Sequence, residues 1–176
     1  MSFSALAAGW QNFYLLVGAA AATLIGLMFV AITFGATMIE IKDANATRAF
    51  LDPTLGHFVQ VLVTACVVVA PSPGRTIFGA LVMAIGVLRL ATLVRIQRHM
   101  RDAQRKNNDL ELSDWMSGLV VPFAAYLVVT ACGALFVAGR APFGLLAATT
   151  VVVLLNGIYG AWELMVWLAL ARSRGQ

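Results

Sequence analysis

The chain has 176 residues, 61% of them hydrophobic and only 11% charged, with a formal net charge of +4. A mean hydropathy of +0.87 excludes a water-soluble surface of ordinary composition, because too few charged side chains exist to cover one. The expected fold class is all-α: a polytopic membrane protein forming a single integral membrane domain over residues 1–176.

A helix needs about 20 apolar residues to cross the hydrocarbon core, and five stretches answer that description, at 13–39, 53–70, 76–94, 115–138 and 143–171. These runs are continuous and long, which excludes the short alternating strands of a membrane barrel. Before the first stretch there is no Lys or Arg, and its apolar run exceeds that of a cleavable signal, so it is expected to remain as the first span. Trp10 is placed as an interfacial anchor, and Gly18, Ala22 and Gly26 at four-residue spacing form a flat strip suited to close helix packing.

The second stretch opens on Asp52-Pro53, a pair that reads as an N-cap followed by proline at the first helical position. His57, Gln60 and Thr64 then fall on one face of the helix. Ala70-Pro71-Ser72-Pro73-Gly74 stops that helix and turns the chain. The third stretch carries Arg89 and runs into the cytoplasmic segment 95–114, which opens on a basic run: from Arg95 to Lys106, Arg95, Arg98, Arg101, Arg105 and Lys106 against the one acid Asp102 give +4, equal to the net charge of the whole protein. If the helix continues, these arginines project over one side of it and suit anionic lipid headgroups. The acidic residues that follow, Asp109, Glu111 and Asp114, are placed to fold back and mute that field.

Ser113 and Asp114 are candidate caps for the fourth stretch, with Trp115 as its interfacial anchor. On the fifth, Asn156, Tyr159 and Glu163 make a polar face, while Gly157 and Ala161 repeat the small-residue spacing. Cys66 and Cys132 have no neighbouring ligand at metal spacing and read as small apolar packing residues.

Orientation follows from the basic residues between spans. Lys42, Arg48, Arg95, Arg98, Arg101, Arg105, Lys106, Arg172 and Arg174 fall on one side, and only Arg75 and Arg140 on the other. That asymmetry predicts the amino terminus outside and the carboxyl terminus in the cytoplasm of a bacterial inner membrane. Val63-Thr64-Ala65-Cys66 with Gly74-Arg75 and Phe78-Gly79 recurs as Val129-Thr130-Ala131-Cys132 with Gly139-Arg140 and Phe143-Gly144. The expected layout is one helix followed by two parallel-repeat hairpins, helices two with three and four with five.

Arg89 and Glu163 are the only ionised side chains inside the five stretches, where an unpaired charge costs several kcal/mol. Counted from the cytoplasmic ends, both fall about 9 to 14 Å deep, so the sequence places them on one level with Gln60. Glu163, Arg89, Gln60, His57, Asn156 and Tyr159 are the candidate ion or proton path. The competing expectation is a structural Arg89–Glu163 salt bridge, or an Arg89 that snorkels to the headgroups.

Catalysis is not expected: the serines lie near the ends of the spans, no paired carboxylates fall within them, and no phosphate-cradling loop or metal-binding helix motif occurs. No cofactor, no metal and no nucleic-acid partner is implied, since nothing aromatic interleaves the basic segment. Two functions fit: a small channel- or transporter-like subunit that completes its route by homo-oligomerising, or a non-transporting accessory subunit of a larger membrane complex. Both have the lipid bilayer as their first partner.

Overall fold

The computed structural model describes residues 2–36, 44–71, 74–104 and 120–174, with side chains described over 2–33, 54–71, 74–95 and 120–166. All regular structure among the described residues is helical: α1 (Phe3–Ala36), α2 (Ala44–Val69), α3 (Arg75–Gln104), α4 (Val121–Val137) and α5 (Phe143–Arg174). Three segments are long and apolar enough to cross a membrane, Phe3–Thr33, Arg75–Arg95 and Phe143–Val166; Thr54–Val69 and Val121–Val137 are apolar but shorter.

Two helix starts differ from the sequence expectation. α1 begins ten residues early, because Ser2 closes its first turn: the Ser2 hydroxyl accepts the Ala5 amide at 3.3 Å and its carbonyl accepts the Leu6 amide at 3.2 Å. α2 begins at Ala44, so Asp52 and Pro53 lie within the helix rather than at its start. The alanine- and leucine-containing run before Pro53 supports helix on its own, and the proline removes one backbone hydrogen bond without ending it. α3 continues past the apolar stretch through the basic segment as far as Gln104. Arg105, Lys106, the acidic stretch, Ser113, Asp114 and Trp115 lie outside the described residues, as do the side chains of Arg98 and Arg101.

The most extensive contact joins α3 to α4, followed by α1 on α2 and α2 on α5; the sequential pairs α2–α3 and α4–α5 touch less. Glycines permit the closest of these approaches. A Cβ on Gly133 would lie 2.6 Å from Met83 Cα, one on Gly86 would lie 2.8 Å from Thr130 N, and one on Gly79 would lie 2.9 Å from the Gly133 carbonyl. The α3 and α4 backbones therefore touch directly, as small residues allow. Elsewhere Gly18 abuts Ala65, and Gly157 abuts Phe58, with virtual Cβ distances of 2.8 Å in each case. Gly26 has nothing within 4 Å and Ala22 is exposed, so among the described residues the strip expected on helix one packs at Gly18 alone. Ala161 lies against the Met28, Phe58 and Leu164 cluster.

One end of the bundle is closed by aromatic rings. Phe78 and Phe136 stand 4.9 Å apart edge to face, Phe143 lies 4.9 Å from Phe136 and 5.7 Å from Phe78, and Phe3 packs on all three. The amino terminus of α1 and the α2–α3 and α4–α5 turns therefore share an end. α4 finishes in a Schellman motif, with the Arg140 amide donating to the Leu135 carbonyl at 2.9 Å and the Gly139 amide to the Phe136 carbonyl at 3.2 Å. Gly139 takes φ +91° there, and Gly74 takes φ +110° at the other turn. The two Gly-Arg pairs thus share a left-handed glycine. Arg75 donates to the Gly139 carbonyl and lies 5.9 Å over the Phe3 ring, tying the turns together. Cys66 is exposed and Cys132 is buried, so the matching words around them occupy different environments.

Candidate functional site

Beyond this aromatic end, four helices bring polar side chains to one level. On α2, positions 57 and 60 differ by about one helical turn, which puts His57 and Gln60 on the same inward face; they are 3% and 4% exposed. His57 Nε2 lies 2.9 Å from Asn156 Nδ2 of α5, and the His57 ring packs edge-on to Tyr126 of α4 at 5.8 Å. Half-buried Arg89 of α3 donates from Nη2 to the Tyr126 hydroxyl at 3.4 Å, with its guanidinium 5.5 Å from the ring centre. The guanidinium reaches α2 because position 56 is glycine: a Cβ there would stand 2.6 Å from Arg89 Nη1 and 2.7 Å from Cζ. Any larger residue would push the cation away from the α2 backbone.

Two polar atoms in this cluster are buried without a hydrogen-bond partner, Gln60 Oε1 and Arg89 Nε. Among the described residues, no carboxylate forms an ion pair with Arg89. Glu163 is exposed, next to Trp162 at 68% exposure, because the following residue, Leu164, turns inward onto Met28 and Phe58. The Phe78–Phe143 contact sets a common starting level for α3 and α5. Measured from there, Arg89 lies about 16 Å along its helix and Glu163 about 30 Å along its own. The sequence had placed these two residues on one level; in the bundle, Glu163 falls about 10 Å beyond Asn156, in rank with Arg98.

Of the six path candidates, the structure gathers Arg89, Gln60, His57 and Asn156, and leaves Glu163 and Tyr159 on the outer face of α5, with Tyr159 at 52% exposure. Sequence reasoning missed Tyr126 and Gly56. Tyr126 carried one available signal, being the only tyrosine in the fourth apolar stretch, whereas Gly56 gave none, since its importance lies in an absent side chain. Arg95 is exposed at the same end of the bundle as Glu163. No group of three or more His, Cys, Asp or Glu side chains suited to a metal occurs among the described residues.

Comparison with known proteins finds no match. No family model, no curated protein and no solved structure matches the chain.

Proposed function

We propose that this chain is a small multi-pass protein of a bacterial inner membrane, crossing it five times with the amino terminus outside, and that it serves as a channel- or transporter-like subunit. The membrane setting is supported by three helices of spanning length and by a belt of exposed large apolar side chains, including Leu16 at 71%, Leu88 at 66% and Leu27 at 59%. Water would penalise such a belt, whereas lipid tails do not. The observation that carries the transport reading is the convergence of Gln60, His57, Arg89, Tyr126 and Asn156 from four helices, with Gln60 Oε1 and Arg89 Nε left without partners. Groups held ready inside an apolar bundle fit a site for an ion or proton. The tight α3–α4 seam leaves little space for a route through one subunit, which favours a homo-oligomer.

A second reading has an observation of its own. Arg89 of α3 donates to Tyr126 of α4 and lies in the space that a Cβ on Gly56 of α2 would occupy, so it also fits an internal staple in a non-transporting accessory subunit. Reconstituted vesicles separate the two. On the transport reading, wild-type protein carries an ion or proton flux that Arg89→Leu and Gln60→Leu reduce. On the staple reading, no flux is present in any variant, and Arg89→Leu changes stability alone.

A further inference from the structure

We propose that the cluster around Arg89 binds a small monovalent anion, of the size of a halide or nitrate. The charge balance points that way. Arg89 brings a permanent positive charge into the bundle, and no described carboxylate pairs with it; Glu163, the acid expected beside it, faces outward near the far end of α5. A charge half-buried in an apolar bundle is stabilised by an opposite neighbour. Of the five N–H groups on the guanidinium, one donates to Tyr126, and the Nε position is buried with no acceptor.

The surrounding groups also favour an anion. The Tyr126 hydroxyl and the Asn156 amide both carry N–H or O–H protons at this level, and Gln60 is 4% exposed with its amide oxygen unpartnered. Rotating that amide by half a turn replaces the orphan acceptor with an NH2 donor, since the two orientations fill the same space. Gly56 removes the one Cβ that would displace the guanidinium, so the cation sits against α2 one turn from Gln60. A donor set around a single fixed positive charge suits an anion of charge −1 and suits a metal cation or ammonium poorly.

The inference rests on reading this cluster as a ligand site, and it is tested by binding rather than by flux. Thermal unfolding of the full chain in detergent micelles is followed in sodium bromide and, at equal ionic strength, in sodium gluconate, whose anion is too large for the site. Bromide is expected to raise the unfolding midpoint by several degrees over gluconate, with a saturating dose dependence. Arg89→Gln should abolish the difference, and Gln60→Leu should shift the half-saturating bromide concentration roughly tenfold upward. Gln60→Leu keeps the test decisive should Arg89→Gln not fold.

No bromide effect in wild type, or an undiminished one in Gln60→Leu and Arg89→Gln, overturns the proposal. So does a bromide effect that appears only in Asp52→Asn, because Asp52, one turn before Gly56 in the sequence of α2, would then be the internal counter-ion. Bromide binding without flux supports the site and removes the transport reading. Flux without bromide binding does the reverse.

Discussion

Adding a single methyl group at Gly133 drives a side chain into the α3 backbone across the α3–α4 seam. The new Cβ would stand 2.6 Å from Met83 Cα, about 0.8 Å short of the 3.4 Å at which ordinary contact begins, and the obstructing atom is backbone rather than a flexible side-chain tip. The helices must part by roughly that amount, and a gap of 0.5 to 1 Å forfeits about a quarter to a half of each pairwise attraction across the seam. Overpacking of this kind costs about 1–3 kcal/mol, against which alanine returns about 1 kcal/mol of helix propensity. Because the strain falls on the most extensive helix contact and on backbone, Gly133→Ala should lose about 2 kcal/mol. Gly26→Ala is the matched control: nothing lies within 4 Å, so only the propensity gain remains and the variant should be neutral or slightly more stable. Equilibrium unfolding in mixed micelles reads both. Equal stabilities for Gly133→Ala and Gly26→Ala would refute the direct backbone contact.

Gly139→Ala forces a side chain onto φ +91° and should cost about 1–2 kcal/mol in the same assay, without altering any property of the polar cluster. Asn156→Leu removes the 2.9 Å partner of His57 Nε2 inside the bundle and should cost about 1–3 kcal/mol in the same assay. Gly56→Ala should displace the Arg89 guanidinium, reduce flux in vesicles as Arg89→Leu does and weaken the bromide response as Arg89→Gln does; an unchanged flux and an unchanged bromide response would disconnect Gly56 from the site. In a cysteine-free background, the proposed membrane setting predicts that Leu16→Cys and Leu88→Cys resist a charged maleimide in vesicles and label once the protein is dissolved in detergent; rapid labelling in vesicles would contradict the membrane reading.

Helices were legible wherever composition alone determines them. The apolar stretches predicted an all-helical chain, and the start of α5 at Phe143 agrees with the expectation because a turn glycine and a proline precede it. The start of α2 was not legible, since Asp52-Pro53 has the chemistry of a cap while the preceding residues are capable of helix themselves. Polar identity was enough to single out His57, Gln60, Arg89 and Asn156, because such residues are rare in apolar surroundings. Depth misled for Glu163. Counting from Arg172 assumed that the membrane edge follows the last basic residues, whereas the aromatic end fixes the register from the opposite side. The role of Gly56 and the dominance of the α3–α4 seam depend on which glycine meets which backbone, and one sequence does not carry that pairing.

Arg89 donates to Tyr126 inside the bundle, beside Gly56, while Glu163 stands apart. A pair of double-mutant cycles in mixed micelles tests this directly: Arg89→Gln with Tyr126→Phe, and Arg89→Gln with Glu163→Gln. A coupling of about 0.5 kcal/mol or more is expected for the first pair and none beyond error for the second. A strong Arg89–Glu163 coupling with additive Arg89 and Tyr126 effects would contradict it.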